Sequence, residues 1–166
     1  MRPSPITWLF SHIGWFSKRW ARHFRAVEHS DVPWTPMTRP LSKCRIALVS
    51  TSGVHLATQP PFDLADPHGD PSYRVLPARL EPGGYTVSHN SYDYRDVIED
   101  SNIVLPLDRL AELAATGEIG SVASHHYSFM GHIVKEHIPT LIEKMAPEVA
   151  ARLRQEAVDA VVMTPA

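Results

Sequence analysis

The chain has 166 residues, 43% of them apolar, with 16 lysines and arginines against 18 aspartates and glutamates for a formal charge of −2. That length and balance suit one soluble domain and exclude an acidic disordered tail or a multi-span membrane protein. A single cysteine leaves no disulfide framework and no cysteine-rich zinc site, and no apolar run approaches the ~20 residues of a membrane helix.

Residues 6–27 read as an amphipathic helix, because Ile13, Phe16, Trp20, Phe24 and Val27 recur at spacings that line them up on one face. Lys18, Arg19, Arg22 and Arg25 lie largely elsewhere, so residues 1–31 carry +3 and the remainder −5. A basic aromatic helix can dock on a partner or lie on a membrane surface. The favoured reading is packing on its own domain or on a second copy, which would make the chain a homo-oligomer. A proline-rich connector, residues 32–43, follows. Nine of the fifteen prolines fall between Pro33 and Pro82, which predicts extended, turn-rich chain there.

Residues 44–166 read as the folded domain. Arg45–Ser50 is a short apolar strand of the kind buried on both faces of a parallel sheet, ending in the turn Thr51-Ser52-Gly53-Val54-His55. Residues 57–84 hold six prolines and read as a long ordered loop. Tyr85–His89 and Asn102–Leu105 are expected as strands, and Pro106 opens a helix that Gly117 stops. Ile119–Ala123 reads as a short strand or turn. His126 to Gly131 precede a helix expected over Gly131–Met145, where Ser128 would serve as a cap. Pro147 opens another helix through Ala157, which leads into an apolar strand at Asp159–Met163. The fold class expected is α/β, with a mostly parallel, layered, Rossmann-like sheet that stops at its C-terminus without the usual covering helix.

Several blocks carry a family resemblance. They are Val32-Pro33-Trp34-Thr35-Pro36, Ala47-Leu48-Val49-Ser50-Thr51-Ser52-Gly53-Val54-His55, and Asp66-Pro67-His68-Gly69-Asp70-Pro71-Ser72-Tyr73-Arg74. Further blocks are Asn102 to Leu110, Gly117-Glu118-Ile119-Gly120-Ser121, His126 to Gly131, and the last strand with Thr164-Pro165. Together they make residues 32–166 resemble the selenoprotein B family of glycine, sarcosine, betaine and D-proline reductases, nearest in size to its short, D-proline-reductase-like members. The resemblance implies a subunit of a cytoplasmic reductase that cleaves a C–N bond of an amino acid or N-methylated amine. It also implies a pyruvoyl-bearing partner subunit, and a dithiol or thioredoxin-like reductant as electron donor. In the family a selenocysteine or cysteine follows the Thr-Pro turn, so the resemblance places the nucleophile immediately after Ala166 and leaves this chain inactive alone. The stop would then be a misread selenocysteine codon.

Within the chain, His55 and His126 are the expected supporting groups, able to orient substrate or move a proton near neutral pH. Thr51, Ser52, Gly53, Tyr127 and Thr164 are the expected substrate-binding residues, with the turn's backbone and hydroxyl groups available to a carboxylate. Cys44 opens a strand and reads as packing rather than as a nucleophile. No metal site is assigned. His89, Tyr92, Asp93 and Asp96, with His55 or His126, have ligand chemistry but lack a diagnostic spacing. Nucleic-acid binding does not fit the net negative charge of residues 32–166. Two alternatives stand beside the reductase: a non-catalytic homologue serving as a binding module, and a small-molecule metal-dependent enzyme on the same sheet edge.

Overall fold

The computed structural model describes residues 14–23 and 34–166, in two compact units. The smaller takes in residues 1–36 and 91–93, and contributes helix α1, Gly14–His23, with Trp15, Lys18, Arg19 and Arg22 exposed. The remaining residues expected in the 6–27 helix lie outside the described residues, and so do the side chains of its apolar stripe.

The larger unit is a mixed α/β fold built on strand β1, Arg45–Ser50, whose last five residues are all buried. Burial on both faces is what its unbroken apolar run predicts. On one side β1 pairs in parallel with β7, Ala160–Thr164, over five residues. On the other it pairs in parallel with β5, Ser121–Val122, and then with β6, His125–Phe129. β5 and β6 together cover one flank of β1, with a break at Ala123 and Ser124. Strand β3, Tyr73–Pro77, closes that side antiparallel to β6. Strands β2, Val54–Leu56, and β4, Tyr85–Val87, form a separate antiparallel pair. Helix α2 spans Arg95–Glu99 and α3 spans Leu107–Ala115.

Pairing register assigns the faces. Val49, Tyr127 and Phe129 line one face, which Val149, Leu141, Met145 and Leu153 of the C-terminal helical segment cover. Leu48, Ser50, His126, Ser128 and Thr164 belong to the other.

The departures from expectation have local causes. β3 lies inside the stretch expected as loop, because its partner β6 supplies the ladder that proline-rich neighbours cannot. Ser101–Ile103 is a 3₁₀ turn rather than a strand. Asp100 accepts the Asn102 N–H at 2.9 Å, and Asn102 accepts the Asp108 N–H at 3.0 Å, so side chains replace strand pairing there. His126 to Phe129 is strand, not the approach to a helix, and Ser128 is buried within it rather than capping. Gly131, at φ +94°, and Lys135, at φ 51°, keep residues 131–136 out of the helix. Helix α4 starts only at His137, running His137–Thr140 and continuing through a π segment, Leu141–Met145, into α5, Ala146–Gln155. Pro147 thus stands at the start of a helix as expected, although that helix follows the π segment without a break. It sits in the first turn of α5, and the wider π turn before it accommodates the missing N–H. α3 matches expectation, with Pro106 at its cap and Gly117, at φ +78°, past its end.

Candidate functional site

β1, β6 and β7 run in parallel and finish at one edge of the sheet, the position where open α/β sheets place their ligands. The strand ends are tied together there. Thr51 N–H donates to Thr164 C=O at 3.1 Å, Gly53 N–H to Phe129 C=O at 2.8 Å, and Ala166 N–H to Thr51 Oγ1 at 3.3 Å. Beneath them, Ser50 and Thr164 both donate their hydroxyls to Val104 C=O, at 3.0 and 2.6 Å. Ser52 N–H is taken by Ser50 Oγ at 3.3 Å. The three N–H groups of the Thr51-Ser52-Gly53 turn are thus committed within the fold and not available to a carboxylate, whereas the Thr51 hydroxyl keeps its hydrogen to donate.

Two glycines let the chain pass this closely. A Cβ on Gly53, at φ +70°, would lie 2.3 Å from Ser88 C=O. A Cβ on Gly131 would meet Thr51 C=O at 2.4 Å and His89 Nε2 at 3.3 Å. Gly131 therefore lets the chain after β6 pass directly against Thr51, beside His89.

The expected site residues separate. Thr51, Ser52, Gly53 and Thr164 are brought together at the edge. His55 lies on β2, buried, with Nδ1 2.9 Å from Leu56 C=O and Nε2 2.9 Å from Ser88 Oγ. Because a carbonyl only accepts, Nδ1 carries the hydrogen and Nε2 accepts from the serine. His126 sits within the sheet, where its Nδ1 accepts Leu48 N–H at 2.9 Å. That bond replaces the rung missing where β5 breaks from β6. Burial, against the partial opposition of Glu156, drives the His126 imidazole down to about 4. It is neutral, and its Nε2 and the Ser128 Oγ are buried with no partner among the described residues. Tyr127 points to the opposite face and packs edge-on against Tyr73 at 5.8 Å. Burial is the main cause of its raised phenol pKa. A cavity beside it is lined by Val75, His125, Arg152, Gln155 and Glu156.

His89 is the imidazole that reaches the edge, and expectation had placed it only in a weak metal set. It is 5% exposed, and burial together with the nearby charge of His132 holds it down to about 4. The sequence signal available was the pair His89 and Gly131, which is meaningful only once β6 is read as a strand ending at the same edge as β1. Among the described residues no three histidines, cysteines, aspartates or glutamates are grouped to hold a metal ion. Among those residues no helix is long and apolar enough to cross a membrane.

Comparison with known proteins adds the family. Residues 17–166 match the model for glycine/sarcosine/betaine reductase selenoprotein B (GRDB). The D-proline reductase subunit gamma of Acetoanaerobium sticklandii is 38% identical over 131 residues, covering 79% of this chain and 52% of that one. The betaine reductase complex component B subunit beta of Peptoclostridium acidaminophilum is 34% identical over 128 residues, covering 76% of this chain and 29% of that one. The glycine reductase complex component B subunit gamma of Carboxydothermus hydrogenoformans is 29% identical over 135 residues, covering 80% and 30%. The chain thus spans about half the length of the first relative and under a third of the other two. No solved structure gives a significant match. With nearly its whole length matched, the chain belongs to the glycine/sarcosine/betaine reductase selenoprotein B family.

Proposed function

We propose that this chain forms part of a cytoplasmic reductase complex that cleaves the C–N bond of a small amino acid or its N-methylated derivative, with a dithiol as electron donor. The relatives named above are subunits of reductases for D-proline, betaine and glycine, and a further one is a sarcosine reductase subunit. These substrates share a carboxylate and a nitrogen on the same carbon, which defines the class proposed here.

One observation carries the reading: the ends of β1, β6 and β7 meet at a single edge, where Ala166 N–H is held by Thr51 Oγ1. In this reading a selenocysteine or cysteine nucleophile is encoded beyond Ala166, and Thr51 and Thr164 set the direction in which the chain presents it. In this reading the pyruvoyl-bearing partner meets the chain at this edge of the sheet. The partner's carbonyl would supply electron withdrawal at the substrate nitrogen. What this chain's own residues do is bind and orient. Ser50, Ser52 and Thr164 lock the strand ends, and Gly53 and Gly131 allow the close backbone approach of the turns at this edge.

The test uses the native gene product assembled with its partner subunit, assayed with glycine, sarcosine, betaine and D-proline and a dithiol. Dithiol-dependent cleavage of the Cα–N bond of one of them is expected, read as amine release from glycine, sarcosine or betaine and as ring opening with the nitrogen retained for D-proline, with none from the 166-residue chain alone. No C–N cleavage by the assembled complex on any of the four, or turnover by the 166-residue chain alone, overturns the reading.

A further inference from the structure

A cleft of about 250 Å³ opens on the helix-covered face of the sheet, beside the start of β6. The strand ends described above lie at the other end of β6, about 13 Å away at ~3.3 Å per residue. Two periodicities build the cleft. His125 and Tyr127 alternate onto one face of β6, and register sets Val75 of β3 beside Tyr127. Arg152, Gln155 and Glu156, three and four positions apart, share one side of the C-terminal end of α5. Several polar groups around them are already paired. Glu156 has both oxygens engaged, Oε1 with His125 Nδ1 and Oε2 with the Ser124 N–H at 3.1 Å. Tyr73, edge-on against Tyr127, donates its hydroxyl to Glu148 Oε2 at 3.3 Å. The carbonyl end of α5, which would repel an anion, is met by Arg45, whose Nη1 donates to Glu156 C=O at 2.6 Å.

Tyr127 is the exception. It is 1% exposed, yet its hydroxyl makes no hydrogen bond among the described residues and is not sealed in as the Ser128 hydroxyl is. Tyr127 lines the cleft, so the cleft is what that hydroxyl faces. Leaving a buried O–H unpaired is costly, and such a group in a cleft calls for a ligand. The Arg152 guanidinium, on the same cleft, likewise has no ion pair or hydrogen bond among the described residues. We infer that this cleft binds a small organic carboxylate with an apolar body. The Arg152 guanidinium and the Tyr127 hydroxyl take its oxygens, and Val75 and the Tyr127 ring receive its body. Because the Glu156 oxygens are engaged, what the cleft still offers is donors and one cation, which suits a single carboxylate. Burial is the main reason the phenol stays protonated at neutral pH, so it donates. The apolar wall gives a more highly charged anion such as phosphate nothing to bind. This site is separate from the strand-end edge and does not rest on the reductase reading.

Calorimetry on the native full-length chain tests this. Benzoate is the probe, benzamide its uncharged isostere, and inorganic phosphate an anion without an apolar body. Saturable benzoate binding is expected, with benzamide and phosphate each weaker by about tenfold or more. Arg152→Gln removes the cation from an exposed position, and Tyr127→Phe removes only the hydroxyl while the ring keeps its packing on Tyr73. Each is expected to weaken benzoate binding by about tenfold, the order of one charge-assisted hydrogen bond. Should Tyr127→Phe not fold, Arg152→Gln decides alone. Ring resonances of isotope-labelled tyrosines give a readout without substitution, since benzoate must shift those of Tyr127. No saturable binding, equal affinity for benzamide or phosphate, or unchanged affinity in either folded variant overturns the assignment. A tyrosine spectrum in which Tyr127 stays still does so too. C–N cleavage by the assembled complex, found or not, leaves this result as it stands.

Discussion

At residue scale, His126 shows why a histidine in a family-like motif need not serve chemistry directly. Its Nδ1 satisfies Leu48 N–H in the gap between β5 and β6, so it acts as a rung of the sheet. His126→Leu leaves that buried N–H without a partner and is expected to cost about 1–3 kcal/mol. His126→Asn places an oxygen where Nδ1 stood and should retain most of that stability in urea denaturation. His126 and His89 are both neutral in the fold at values of about 4, against 6.5 for the unfolded group. Between pH 6.5 and 4 the unfolded chain therefore binds more protons, so stability is full above 6.5 and falls as the pH drops through that window. Each group accounts for at most about 3 kcal/mol of the loss. Melts across this range should show the decline, shallower in His126→Asn. A second residue-scale prediction separates backbone strain from crowding. Gly117 and Gly131 both have positive φ, but an added Cβ meets nothing within 4 Å at Gly117 and meets Thr51 C=O at 2.4 Å at Gly131. Gly117→Ala is expected to cost about 1 kcal/mol and Gly131→Ala several times that, as urea midpoints will report.

At the scale of elements, the Asp66-Pro67-His68-Gly69-Asp70 block is a clasp. His137 Nε2 lies 2.7 Å from Asp66 Oδ2, and His68 Nδ1 lies 2.6 Å from Glu136 Oε1. Lys135 Nζ donates to His68 Nε2 at 2.9 Å, which puts the ring hydrogen on Nδ1, toward Glu136. Val134 N–H donates to His68 C=O at 3.0 Å, and Gly69 packs on the backbone of His132. The clasp therefore holds the segment that carries His132. The hydrogen bond to Asp66 raises His137 above its ordinary value and lowers Asp66 below its own. The pair is intact between those limits and is lost as the pH rises through the raised His137 value. In Asp66→Asn, His137 should titrate closer to 6.5 by NMR and amide exchange over residues 66–70 should quicken. An unchanged titration would show that the bond is not made in solution. Nothing local in the sequence announces this clasp, because its two sides lie about 70 positions apart. β1, β4, β7 and α3 were legible because apolar runs and caps are local signals. β3, β6 and the 3₁₀ turn at Ser101–Ile103 were not, because tertiary pairing and side-chain bonds decided them against their neighbours' propensities. The candidate site divides in the same way. Thr51, Gly53 and Thr164 could be read from strand ends, whereas His89 needed the position of Gly131.

At the scale of the molecule, β7 bears on how the chain associates. Among the described residues it pairs only with β1, so its other edge offers unpaired N–H and C=O groups. Its side chains are apolar and uncovered, with Val161 38%, Val162 40% and Met163 72% exposed. Edges of this kind template further pairing unless charge, proline or a covering segment blunts them. The 166-residue chain is therefore expected to self-associate with rising concentration, through the same strand that carries Thr164 to the candidate site. Met163→Lys puts a charge on the most exposed position without touching the β1 ladder, and surface changes of this kind usually shift stability by less than about 0.5 kcal/mol. Light scattering against concentration should then fall in Met163→Lys while its urea midpoint stays that of the parent. Scattering equal in the two chains would place the association elsewhere and leave β7 shielded.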